Sequence, residues 1–343
     1  MTRWVRQNGG FAAALTLFAL LFVTYNLLHP RGFSTAVLVQ NANESVALAF
    51  VAMAQTVPVL LGGLDLSVGA VMTLTSCIAS WLLDGSPLQI ALGIVATLAA
   101  GTAFGFMNGC IVVYGRIQPI IATLATGAIA IGLALLVRPQ PGGDVDGDFN
   151  WAFTNTVQTM CETYGWAEGG EAWWLWPVAN IPVPLILLFG IALLVWLPFK
   201  RSLTGRTVYA IGSAEGAAYV SGLPIDRARL AAFTLAGFFA SCGGLYLAIQ
   251  TSSGNADVVQ AGTYTLNSIA AVVLGGTALL GGKGGAIASL VGALILRVMS
   301  FYFRILSIDP LLQPLIEGLV LLLAISVGGL HTLRVRNRLE VFR

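Results

Sequence analysis

Ten apolar runs recur along this chain, each near the ~20 residues that a helix needs to cross about 30 Å of hydrocarbon. They fall at about 9–28, 44–62, 66–84, 88–114, 118–137, 182–199, 229–250, 265–281, 285–304 and 311–330. Hydrocarbon offers the backbone no hydrogen-bond partners, so runs of this length satisfy themselves as helices. The chain is 57% hydrophobic and 9% charged, where a soluble domain carries about 25% charged residues. The expected fold is an all-α integral membrane protein of about ten transmembrane helices, one domain over residues 1–343. The pairs of spans flanking Asp65 and Lys283 are open to other divisions.

Lysine and arginine placement orients the chain. With the N-terminus cytoplasmic, thirteen basic residues fall inside: Arg3, Arg6, Arg116, Lys200, Arg201, Arg206, Arg227, Arg229, Lys283, Arg334, Arg336, Arg338 and Arg343. Only Arg31, Arg138 and Arg304 fall outside, and Arg297 lies within a span. Both termini are therefore expected in the cytoplasm. Nine spans would put the Arg334/Arg336/Arg338 cluster outside. Arg3 and Arg6 precede the run Phe11–Leu28 with no small-residue cleavage site after it, which reads as an uncleaved first span. A net charge of +2 does not point to nucleic acid. Cys77, Cys110 and Cys242 lie in apolar runs and read as packing residues; Cys161 stands alone in a polar loop. With no Cys/His cluster, no metal site is expected.

The stretch Gly62-Gly63-Leu64-Asp65-Leu66-Ser67-Val68-Gly69-Ala70-Val71 interrupts two long runs. Adjacent glycines weaken a helix and free backbone groups. A carboxylate at membrane depth is expensive and faces a polar path or a polar partner. Two readings stand: a broken helix beside a route through the bilayer, or a tight turn at a membrane face with Asp65 in the headgroups. A second interruption, Leu279-Leu280-Gly281-Gly282-Lys283-Gly284-Gly285, echoes Leu60-Leu61-Gly62-Gly63. It is not a phosphate loop, because Thr277 stands where the first glycine is required and Gly284 follows the lysine. Paired interruptions in two halves point to a transport site. Between them, Gly105, Asn108, Gly109, Pro119, Thr123 and Thr126 mix packing glycines with polar groups that bond across helices. Glu44, Gln55, Arg297 and Glu317 are further polar residues in or near spans, with no ion pair assignable.

Two extramembrane segments stand out. Residues 138–181 form the longest polar loop, expected outside, with Gly142-Gly143, the acids Asp144, Asp146, Asp148, Glu162, Glu168 and Glu171, and Trp151, Trp166, Trp173, Trp174 and Trp176. It reads as a cap at headgroup level, a surface for an external partner, or both. Residues 200–229, expected inside, carry Ser213-Ala214-Glu215-Gly216-Ala217-Ala218-Tyr219-Val220-Ser221-Gly222. Ser213 is expected to cap a short helix with Glu215 in its first turn and Gly222 as its stop. That helix is either a docking knob or an ordinary amphipathic connector.

Four stretches together resemble the permease subunits of bacterial ABC sugar importers of the ribose type. They are Gly62–Val71; Gly105–Gly109 with Gln118–Leu124; Gly205–Gly222; and Leu266–Gly285 with Ser289–Ile295. They span nearly the whole chain in family order, the first and last being specific when found together. The resemblance implies a type II-like importer permease of ten helices in the bacterial inner membrane, paired with a second copy or a similar permease. It further implies two cytoplasmic ATPase subunits that bind ATP, a periplasmic sugar-binding protein and a small sugar as substrate, so that no cofactor is bound by this chain. Residues 213–222 match the coupling helix. The chain departs from the family at Ala52–Pro58, where Pro58 would kink the span, and in the length of loop 138–181.

The expected mechanism is alternating access driven through the coupling segment. Asn108, Gln55, Ser67 and Asp65 are the candidates for the sugar path, Asp65 chiefly holding the broken helix. The rivals are an ion-coupled sugar transporter using Asp65 or Glu317, and a membrane enzyme, for which no catalytic set appears.

Overall fold

The computed structural model describes residues 9–166 and 178–309, with positions 312, 315, 316, 318, 319 and 322 beyond them. Among residues 9–166 and 178–309, twelve helices follow in order: α1 (Gly9–Leu28), α2 (Thr35–Leu60), α3 (Val68–Leu82), α4 (Pro87–Tyr114), α5 (Pro119–Val137), α6 (Gly147–Thr154), α7 (Val157–Thr163), α8 (Val183–Arg201), α9 (Leu203–Val220), α10 (Ile225–Thr251), α11 (Val258–Leu274) and α12 (Ala286–Ile305). Local chemistry sets many of the starts. Ser86 and Gln89 form a reciprocal capping box ahead of Pro87, and Pro119 opens α5. Asp257 opens α11 by accepting from the Val259 N–H at 2.8 Å. α8 carries a π-helical turn over Ala192–Trp196.

Seven of these helices are long and apolar enough to cross a membrane; α3, with 15 residues, and α11, with 17, are apolar but shorter. The expected tenth span, 311–330, lies largely outside the described residues, as do Glu317, Arg334, Arg336 and Arg338. Two expected bounds are corrected. The run at 44–62 belongs to a helix that begins at Thr35, because Ser34 caps it and its first turns tolerate Gln40, Asn41 and Asn43. The run at 265–281 is a helix over 258–274: the Asp257 cap starts it early, and Gly275-Gly276 end it. Pro58 does not break α2 midway. It stands in the last turn, where its carbonyl accepts the N–H groups of Leu61 and Gly63, each at 3.0 Å.

α2 is the axis of the molecule. Every residue from Ser45 to Leu60 is buried, so this segment is packed in protein rather than lipid. α10, α11 and α12 pack around it, and α3 wedges between α10, α4 and α5. α4 meets α10 along a seam of small residues. A Cβ on Gly105 would lie 2.4 Å from the Phe233 carbonyl oxygen, and one on Gly237 would lie 2.2 Å from that of Gly101. Only glycine allows this approach.

The two ends of the bundle differ. At one end, residues 138–166 fold over the helices through α6 and α7. Antiparallel bridges Gly142↔Gly254 and Thr156↔Pro182 hold it in place. Cys161 is buried there against Val157 and Val183, while Trp151 and Trp166 are exposed. Trp173, Trp174, Trp176, Glu168 and Glu171 lie outside the described residues. At this end Arg304 grips Glu44 with both guanidinium arms, an ion pair that joins α12 to α2. Arg297, inside α12, lies over the Tyr264 ring at 5.5 Å. The opposite end carries α9.

Candidate functional site

Both interruptions are real breaks, and both lie at the α9 end. The first occupies 61–67. Gly62 adopts φ +82°, a conformation that L side chains resist. α3, of 15 residues, rises only about 22 Å at 1.5 Å per residue, short of the ~30 Å of a hydrocarbon core. The Asp65 side chain turns back on its own segment, its Oδ1 accepting from the Ser67 N–H at 2.8 Å and the Ser67 hydroxyl at 2.6 Å. The Asn108 amide of α4 donates to that hydroxyl at 2.8 Å. Gln55 of α2, its amide oriented to match its neighbours, donates to the Asp65 carbonyl at 2.7 Å and accepts from the Asp65 N–H at 3.3 Å. Thr123 of α5 accepts from the Leu66 N–H at 2.9 Å, and Thr265 of α11 from the Gly69 N–H at 3.1 Å.

All four path candidates thus meet in one knot. Gln55, Asp65, Ser67 and Asn108 are each no more than 2% exposed. In this conformation they hold the break together and face no open cavity. The Asn108 Oδ1 has no partner, which leaves one spare acceptor inside the knot. Thr123 and Thr265 complete it. The sequence showed Thr123 only as a helix-bonding threonine and gave no sign of Thr265.

The second break occupies 275–285, with Gly276, Gly281, Gly282 and Gly284 all at positive φ. The Thr277 hydroxyl accepts from the Gly285 N–H at 3.2 Å, and Ser289 is bonded by the Thr56 hydroxyl of α2 at 2.7 Å. The two breaks touch: the Gly282 N–H donates to the Leu60 carbonyl at 3.0 Å. Gly212 of α9 is pressed into the same contact. A Cβ there would lie 1.9 Å from the Leu60 carbonyl oxygen and 2.4 Å from the Gly282 nitrogen. Tyr209, one turn earlier, donates to the Gly284 carbonyl at 2.8 Å, and burial pushes its phenol up to about 12. Gly281 and Gly282 are therefore break glycines that meet α9 at Gly212 and Ser213, Gly62 lies against Leu280 and Gly281 of the second break, and Gly63 packs against Pro119.

α9 bends at Ala214, which is non-helical at φ −165°, ψ 95°. Beyond it a short turn of helix presents Glu215, Gly216 and Ala217 to solvent, with Ala218 buried. The Ser221 and Leu223 N–H groups bond back to Ala217 and Ala218, and Gly222 at φ +73° ends the helix as expected. Ser213 does not cap it. Its hydroxyl bonds back to the Tyr209 carbonyl at 2.9 Å, because Ser213 is the last residue before the bend rather than a residue outside a helix. Glu215 is anchored to Arg229 of α10 at 2.7 Å. Tyr219 and Val220 are 74% and 86% exposed, an apolar tip that the charge pattern of the segment concealed. Beside the knob, a cavity of about 730 Å³ opens between Gly62-Gly63, residues 114–118 and Asp226.

A bundle of apolar helices, interrupted twice and tied at both interruptions to one exposed knob, is the architecture of a membrane transport subunit. Residues 37–325 match the family described as branched-chain amino acid transport system / permease component, and the chain belongs to that family. It is 31% identical over 327 residues to the ribose import permease protein of Escherichia coli (strain K12), covering 95% of this chain and 94% of that one. It is 32% identical over 312 residues to the ribose import permease protein of Bacillus subtilis (strain 168), covering 91% and 90%. The D-allose transport system permease protein of Escherichia coli (strain K12) is 27% identical over 316 residues, covering 92% and 90%. No solved structure matches.

Proposed function

We propose that this chain is the permease subunit of an ATP-driven importer of small neutral sugars, a multi-pass protein of the bacterial inner membrane with both termini in the cytoplasm. Full-length similarity to permeases named for ribose and allose supports the sugar class. The observation that carries the mechanism is the contact of Gly212 with Leu60 and Gly282. It makes α9 a lever whose root sits between the two broken helices. A separate ATPase grips the exposed tip at residues 213–222, and ATP binds there rather than to this chain. A second permease copy or a similar permease completes the path, and a periplasmic sugar-binding protein delivers the substrate.

When the ATPase subunits close, the knob moves and the breaks shift with it. The Asp65–Ser67–Asn108 knot then separates, and its amides and hydroxyls turn to the sugar. The permease holds the sugar weakly, since affinity is supplied outside. Asp65 is chiefly a clamp on its own helix break. The deciding experiment is uptake into proteoliposomes. Sugar should enter only when the ATPase subunits, ATP and the binding protein are all present; accumulation driven by an ion gradient without the ATPase would refute the assignment and favour a secondary transporter.

A further inference from the structure

A second polar cavity lies at the opposite end, and nothing in the transport cycle above uses it. Its volume is about 670 Å³, within the roughly 300–1,000 Å³ of small-molecule sites. It sits between the first turns of α2, the α6–α7 junction and the end of α10. Nine of its twelve lining residues carry uncharged amides or hydroxyls, in a chain that is 57% hydrophobic. The charged residue among the described lining residues, Glu44, is already taken by Arg304.

The walls are built. Asn43 is fixed by donating to the Thr154 carbonyl at 2.7 Å and by accepting from the Tyr246 hydroxyl. The loop wall is held by the Val157 N–H on the Ile181 carbonyl at 3.1 Å and the Val183 N–H on that of Asn155 at 2.9 Å. Asn180 and Gln250 line the cavity with amides that no protein group bonds among the described residues. Fixed walls with free neutral donors and acceptors suit a polyhydroxyl ligand, and the described lining offers no unpaired charge to an ionic one.

From this geometry we infer that the cavity is an outer landing site for a neutral pentose or hexose, distinct from the buried Asp65 knot. Besides Glu44, the lining among the described residues is amide, hydroxyl and aliphatic, which suits a site that takes up a sugar and releases it inward. The inference rests on the sugar-import reading for its ligand and for its outward orientation.

The test is saturation-transfer NMR on the full chain in lipid nanodiscs, without binding protein, using millimolar D-ribose and D-allose as probes. The wild type should show transfer to at least one sugar. The double variant Asn180→Leu/Gln250→Leu should lose it at least about fivefold, with its thermal midpoint unchanged because neither side chain is buried. Equal transfer in both proteins, or none in the wild type, overturns the site. ATP-driven uptake by the wild-type complex is measured in parallel. Uptake without variant-sensitive transfer sinks this site alone, whereas variant-sensitive transfer without uptake sinks the importer reading alone.

Discussion

Asp65 shows how one buried acid is made tolerable inside an apolar bundle. Its Oδ1 accepts two hydrogen bonds from Ser67, one of them from a backbone N–H that the helix break had freed. Each of these hydrogen bonds is worth about 0.5–1.5 kcal/mol net, and more is lost when a buried partner is stranded. Asp65→Leu should therefore lower the thermal midpoint of the detergent-solubilised protein by roughly 3–6 °C. Asp65→Asn, which keeps an acceptor, should lose less than half of that. Equal midpoints for Asp65→Leu and wild type would remove Asp65 from the fold's supports. The residues of this knot were legible as polar groups in apolar runs, which is why Gln55, Asp65, Ser67 and Asn108 stood out. Their joint bonding was not, since Asn108 and Ser67 are 41 positions apart.

At the scale of elements, α9 separates docking from transmission. Gly216 stands in open space, so a bulky side chain there meets no part of this chain. Gly216→Trp should insert normally and fail to bind the ATPase, read by co-purification; retained binding with normal uptake would count against the knob. Gly212→Ala tests the other half, because its Cβ cannot fit between Leu60 and Gly282. It should bind the ATPase yet hydrolyse ATP without uptake, the sugar moved per ATP falling at least about tenfold, a coupling change of about 1.4 kcal/mol. A Gly212→Ala complex with wild-type stoichiometry would dismiss the lever. The short helix and its Gly222 stop were legible from spacing. The bend at Ala214 was not foreseen and Ser213 was expected to cap the short helix, because a serine two residues before a glutamate looks the same whether it ends one helix or begins the next.

For the whole molecule, the seam between α4 and α10 sets how closely two halves of the bundle approach. Gly105→Leu would drive side-chain atoms into the Phe233 carbonyl, starting from a Cβ already 2.4 Å away. We expect that variant to be lost from the membrane fraction or to migrate as an aggregate, while Gly132→Leu, at a position open to space, should accumulate normally. Monodisperse, stable Gly105→Leu protein would show that the seam is not required. This close approach brings α3 between α4, α5 and α10 and so closes the knot around the first break.

Helicity, the presence of most spans and their two interruptions were determined by the sequence alone. Hydrocarbon tests each segment separately, and a run either satisfies its own backbone or fails to. The early starts of α2 and α11 escaped that reading because capped polar turns look like loops until a cap is seen to extend the helix. Only the tertiary structure decided that both breaks meet at Gly212 and that Thr265 reaches Gly69 across 196 positions. Those contacts depend on how helices rotate and cross against one another, a property of pairs of surfaces that no single stretch of chain encodes.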